Sequence, residues 1–300
     1  MVKYFGETIC QYKSKDDKTC MRKGYYINSN KQIMCGYHSY KETRTILPKN
    51  PKRIKNKKAI IKKHNDKCKL IAEQNEKLNK NGDVKCCKMY MMKDVKLTDG
   101  YINIFPNYKH KNRIDGIGLP SLSPKSIGPV DHGQPNLPQA YNLENFHQGN
   151  KVFPSEIKNG KPTKQFFKTQ KNMYFDKTPY RHKPNRTDED KKLGNIPVYS
   201  IWISKNEKQH NIDYFTSRQF YCHFYERAIK KHKDFVKLKR MIKHGYNLMI
   251  VGYDGFDVTK TIEEHYLDVS RPFGHEMVLY TMLTTKPKDY IWHKYKTFEY

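Results

Sequence analysis

Over residues 142–156 the side chains separate onto two sides of a helix. At about 100° per residue, Glu144, Gln148 and Lys151 fall within roughly 60° of one another, while Leu143, Phe146 and Phe153 gather on nearly the opposite side. Such a helix buries one stripe. If it does so beneath a cavity, a carboxylate, an amide and an amine all point at whatever fills that cavity. Glu and Lys two turns apart, bridged by Gln, also describe an ordinary solvated helix face. Gly149 weakens the helix by about 1 kcal/mol relative to Ala, and Pro154 ends it.

The last hundred residues carry the densest apolar periodicity. Residues 196–203 read as a strand with Pro197 near its start, and 215–231 and 234–244 as two helices, the second closed by Gly245. Residues 247–252 form an apolar run short enough for a buried strand, followed by a turn at Tyr253, Asp254 and Gly255. A further helix opens at 272–276, and its Val278, Leu279, Met282 and Leu283 repeat at helical spacing, which makes them core.

Upstream the signals are weaker. Residues 98–138 are rich in Gly and Pro, and a loop of that length leading into Glu144 is the expected wall of the pocket. Residues 154–195 interleave Phe166, Phe167, Tyr174, Phe175 and Tyr180 with lysines, which suits either base stacking or an ordinary core edge. Residues 49–69 hold ten basic side chains, and 57–80 hold few helix breakers, giving a basic, partly helical connector. The expected fold class is α+β, a mixed helical domain with a small sheet at 99–300, preceded by a linker at 49–98 and a small Cys/His module at 1–48.

Charge adds a partner class to this picture. With 58 Lys+Arg against 30 Asp+Glu, the formal charge is +28, while hydrophobic residues make up only 36% of 300. A polyanion is the natural counterpart, and nucleic acid, nucleotide phosphates and anionic membrane surfaces all qualify. AT-rich coding would also enrich Lys, Asn, Ile and Tyr. No basic-apolar-small signal peptide opens the chain, and no apolar stretch approaches the roughly 18 residues needed to span a bilayer, so a soluble intracellular protein with no membrane attachment is expected.

Seven cysteines without a secretory signal read as thiols or metal ligands. Cys10, Cys20, Cys35 and His38 are the candidate set, because the Cys35-x2-His38 pair brings a thiolate and an imidazole within reach of one tetrahedral ion. Four ligands would close a structural zinc site; scattered thiols are the alternative. His64, Cys68, Cys86 and Cys87 form a weaker second set, since adjacent cysteines fit one tetrahedron poorly. His275 and Glu276 fall in a helix's first turn, where backbone N–H groups attract anions, although an acidic cap beside a buried histidine fits equally well. Leu279 stands where a zincin would need its second histidine, Gly116-x-Gly118 lacks a dinucleotide fingerprint, and P-loop, nucleophile-elbow and kinase signatures are absent.

The Glu144-x3-Gln148-x2-Lys151 spacing, with Phe153 behind it, resembles the signature helix of the NADAR group of N-glycosidases. A basic aromatic helix at 214–226, a short strand ending near an acid at 248–254 and a closing apolar helix at 274–283 follow in the group's order. Together with the Cys/His module, the chain is also similar to proteins of giant DNA viruses, which implies host cytoplasm or virion as its place. The resemblance implies hydrolysis of an N-glycosidic bond in a phosphorylated or ADP-ribose-linked, nucleoside-like substrate, without a redox cofactor. Under it, Glu144 stabilises positive charge at the anomeric carbon, Lys151 binds a phosphate or forms a Schiff base, and Gln148 orients the substrate. Trp202 is assigned as the aromatic pocket residue, with His275 and Glu276 as further substrate contacts. The rival expectation is a non-catalytic nucleic-acid-binding or virion protein, acting through the zinc module and the basic tract 49–69.

Overall fold

The structure, a computed structural model, describes residues 3–39, 43–90, 94–184 and 196–296. It is α+β, as expected, and divides into two units, Met1–Lys63 and His64–Tyr300. In the first unit, β1 (Tyr26–Asn28) pairs antiparallel with β2 (Ile33–Met34) on one side and β3 (Arg44–Ile46) on the other. Its densest interior is small, consisting of Cys10, Met34 and Cys35 with Cys20 against them.

Helix α1 (Pro51–Lys77) starts with proline in its first turn, where the missing N–H costs nothing. Ile61, Cys68 and Ala72 form its buried stripe, and its lysines take the solvent side. After it comes β4 (Val84–Lys88), which forms one edge of the main sheet of the second unit. Residues 49–98, read from composition as a linker, therefore supply a long helix and a sheet strand. The basic excess hid a sparse apolar face.

The remaining elements of the second unit are β5 (Tyr101–Phe105), β6 (Ile117–Gly118), α2 (Leu143–Gly149), β7 (Lys151–Val152), β8 (Ile157–Lys158), β9 (Lys161–Pro162), α3 (Lys164–Phe175), β10 (Tyr199–Ile203) and β11 (Gln209–Ile212). Then follow α4 (Tyr214–Ile229), α5 (Lys233–Lys243), β12 (Asn247–Gly252), α6 (Ile262–Leu267), α7 (His275–Thr284) and α8 (Ile291–Lys294). Strand β12 is the spine of a parallel sheet ordered β4-β12-β5-β6. Both faces of β12 are covered, as a parallel strand requires. Leu248 and Ile250 enter the large core, which also holds Ile104, Phe146, Trp202, Phe224 and Leu279, while Met249 and Val251 meet a smaller cluster with Phe105 and Met89. A second sheet, β11-β10-β7, is antiparallel.

Helix α2 stops at Gly149, so Lys151 stands on a strand and not on the helix expected over 142–156. A buried side chain makes the break. Asn150 Nδ2 donates to the Phe146 carbonyl (2.8 Å), and its Oδ1 accepts from Gln170 Nε2 and Tyr174 OH, both at 2.9 Å. The Asn150 carbonyl accepts the Ile201 N–H (2.8 Å), and Ser200 lies opposite Lys151 across the β10–β7 pair. Beyond the break the helical phase is lost, which is why Phe153 does not follow Leu143 and Phe146 to their side. The Gly/Pro-rich segment packs at the other end of α2: the Leu143 and Glu144 N–H groups donate to the Ile127 and Pro124 carbonyls.

Asn150→Ala should lower the stability of the second unit by about 3 kcal/mol, because it strands the buried donors of Gln170 and Tyr174. The fluorescence of Trp202 and Trp292 during denaturation measures this, and a loss below about 0.5 kcal/mol would contradict the account of the break.

Candidate functional site

Beyond the carboxyl end of β12 the chain turns through Asp254, and the space it enters is a cavity of about 430 Å³. Ligand sites characteristically occupy this position relative to parallel strands. Glu144, Gln148 and Lys151 all line it, so the three side chains grouped by sequence spacing do share one hollow. Gln148 Nε2 donates to Glu144 Oε1 (3.4 Å), which fixes the amide beside the carboxylate. Burial lowers the Lys151 ammonium to about 8; the Glu144 and Asp254 charges pull it back up, and Arg181 pushes it further down.

The other walls come from distant parts of the chain. Arg181 and Lys183 contribute from the segment after α3, and Tyr214, Arg218 and Tyr221 from α4. That segment is anchored by Asn145, whose Nδ2 donates to the Asp176 (2.9 Å) and Thr178 (3.0 Å) carbonyls and whose Oδ1 accepts the Tyr180 N–H (3.0 Å). Arg218 Nη2 donates to the Asp268 (3.1 Å) and Arg271 (2.6 Å) carbonyls, and Nη1 donates to that of Tyr266. Three carbonyls neutralise no charge, so the guanidinium stays a fixed cation at the wall. Burial, then the Glu144 charge, drives the Tyr221 hydroxyl well above its ordinary pKa; burial, then Lys151, drives His147 well below. Both are therefore neutral near pH 7, ring against ring at 5.0 Å.

Several expectations require correction. Trp202 does not line the cavity. It is 2% exposed and packs edge-on against Phe146 and Phe220 in the core, while Phe153 and Phe273 supply the apolar wall. His275 and Glu276 lie outside the lining, behind Gly274, where a Cβ on Gly252 would overlap the Glu276 carboxyl. Burial raises the Glu276 pKa against the opposing pull of His275, whose Nδ1 is 3.2 Å away and whose Nε2–H donates to the Pro106 carbonyl (2.9 Å). No residue of 98–138 lines the cavity, because that segment is committed to the start of α2. Sequence spacing also missed Asp254 as a site residue, together with Arg181, Arg218 and Tyr221. The turn signal at Asp254, directly after a buried strand, pointed to one of them, and the basic aromatic helix at 214–226 contained Arg218 and Tyr221 without singling them out.

The first unit gathers Cys10, Cys20, Cys35 and His38, with their ligand atoms all within 4.8 Å of one another, a set that could hold a metal ion. His38 Nδ1 lies 3.5 Å from both Cys10 and Cys35 Sγ, and the Cys35 N–H points at Cys10 Sγ (3.2 Å). Burial opposes the Cys35 thiolate, but hydrogen bonds from the His38 and Tyr37 N–H groups and from the Cys10 and Cys20 thiols hold its pKa below the ordinary value. N–H donors aimed at sulfur and a nearly absent apolar core both suit a metal-tied module. Among the described residues, His64, Cys68, Cys86 and Cys87 form no such group. No described helix is long and apolar enough to cross a membrane.

Compared with known proteins, the chain matches no family model, no curated protein and no solved structure.

Small-reagent amine labelling followed by mass spectrometry should titrate Lys151 with a midpoint near pH 8. In Glu144→Gln the midpoint should move lower, because the lost negative charge had favoured the ammonium. A wild-type midpoint at the ordinary lysine value of about 10.4 would show that the side chain is not enclosed.

Proposed function

We propose that the cavity hydrolyses an N-glycosidic bond in a phosphorylated or ADP-ribose-linked, nucleoside-like substrate. The observation that carries this reading is the convergence of Glu144, Gln148 and Lys151, with Asp254, on one hollow rimmed by Arg181, Lys183 and Arg218. The cations suit a substrate bearing phosphate, and Tyr221, Phe153 and Phe273 offer rings and apolar surface to a base or sugar face. The resemblance to the NADAR group points the same way.

In the reaction the C–N bond breaks with its electron pair leaving on nitrogen, which takes up a proton, and water adds to the anomeric carbon. Positive charge grows at that carbon, and the Glu144 carboxylate stabilises it and receives the proton that water sheds. Lys151, poised near pH 8, has two possible uses. As an ammonium it holds a phosphate; as a free amine it condenses with the aldehyde of the ring-opened sugar, releasing water. A rate that rises through pH 8, with borohydride trapping of substrate on Lys151, assigns the amine role. Substrate affinity that falls above pH 8 without trapping assigns the phosphate role.

Release of free base or reducing sugar from ADP-ribosylated and ribosylamine-phosphate substrates tests the proposal. Glu144→Gln should lower kcat by at least about 100-fold, and Gln148→Ala should act mainly on KM. Lack of turnover of every such substrate by the unmodified chain would defeat the reading.

The Cys/His cluster holds structural zinc in this reading, since three thiolates and one imidazole with no open position suit that ion. Elemental analysis should find one zinc per chain and none in Cys35→Ser. Equal zinc in both would remove Cys35 from the ligand set.

A further inference from the structure

Beside the Cys/His cluster, the first unit presents a groove of about 550 Å³ that the cavity chemistry does not use. Tyr12, Lys18, Met21, Arg22, Tyr37 and His38 form most of its lining, which includes no acid. Tyr12 stacks on His38 with ring centroids 3.8 Å apart and planes 23° from parallel. The Arg22 guanidinium lies 4.7 Å from the centre of the Tyr37 ring. Tyr37 is nonetheless 65% exposed, so a large part of the ring remains open to a ligand.

We infer that this face binds single-stranded nucleic acid, with a base stacked on Tyr37 and the backbone phosphates met by Arg22 and Lys18. Stacking on an exposed ring demands an unstacked base, which a single strand offers and a duplex does not. Tyr37 sits between Gly36 and His38 in the tight turn that returns to the cluster, so its backbone is already ordered and little freedom is lost on binding. The formal charge of +28 complements a polyanion. A lipid surface fits less well: the groove rings lie against His38 and Arg22, and Met21 is the only aliphatic side chain in the lining.

Fluorescence anisotropy of the full chain with a labelled oligothymidylate or oligouridylate, and with a duplex hairpin, tests the assignment at near-physiological salt. Tyr37→Ala should weaken single-strand binding by at least about five-fold, the low end of what one stacked base contributes. Tyr37→Phe should bind like the unmodified chain, and duplex binding should change less than about two-fold, because the remaining cations supply it. Metal content is measured in each variant. If Tyr37→Ala loses metal, Arg22→Ala, which leaves every cluster ligand in place, must give the same selective loss. Equal losses on single strand and duplex, no loss on either, or Tyr37-dependent binding to anionic vesicles without single-strand binding would overturn the inference.

Discussion

A single buried amide fixes where α2 ends and so where Lys151 and Phe153 point. Asn150 accepts two hydrogen bonds from α3 and returns one to the last turn of α2, so the helix cannot continue and the chain leaves it as a strand. Lys151 is then held by pairing to β10, and Phe153 turns toward the cavity. The glycine before the break also serves packing, since a Cβ on Gly149 would press on the Tyr174 ring. A buried amide engaged through both its oxygen and its nitrogen favours one geometry, because turning it away leaves the Gln170 and Tyr174 donors unpaired.

The cavity's electrostatics follow from that geometry. One ammonium is drawn out of water near a carboxylate, and a guanidinium clamped by carbonyls lines the same cavity. Opposed charges in an enclosed space act more strongly than on a surface, because water screens them less. The neutral His147 and Tyr221 add uncharged polar atoms to a lining otherwise rich in charge. Glu276, behind Gly274, is a different matter: a carboxyl kept largely apart from solvent, whose raised pKa favours the protonated form and so limits repulsion with Asp254.

Local periodicity was enough to reveal part of this. The strand at 247–252 was legible to its end residues, and α4 and α5 to within one or two, because each combines an apolar repeat with a cap or breaker such as Gly245 at φ +80°. Glu144, Gln148 and Lys151 were grouped correctly for a partly wrong reason: a helix and a helix followed by a strand both turn these three to one side. The convergence of Arg181, Arg218 and Asp254 was illegible, since it depends on tertiary contacts such as the Asn145 anchor and not on spacing. Trp202 was misplaced because β10 is buried on both faces, Trp202 in the large core and Ile201 in a separate cluster, so an aromatic residue there packs without reaching the cavity and spacing does not mark the difference. The strand within 49–98 was hidden by the exposed Lys85 and Lys88 that interrupt β4, although Val84 and Cys86 enter the large core and Cys87 packs against the smaller cluster.

The order of strands in the main sheet has a consequence for a chain emerging from a ribosome. β4 and β5 are made early but are not neighbours; the strip of backbone that joins them is β12, synthesised more than a hundred residues later. Until it arrives, two strands wait with open edges, a state prone to mispairing with other chains. The ribosome must therefore deliver the chain through β12 before the larger unit can close. The amino-terminal unit has local pairings and a compact Cys/His set, so it is free to settle while the rest is still being made.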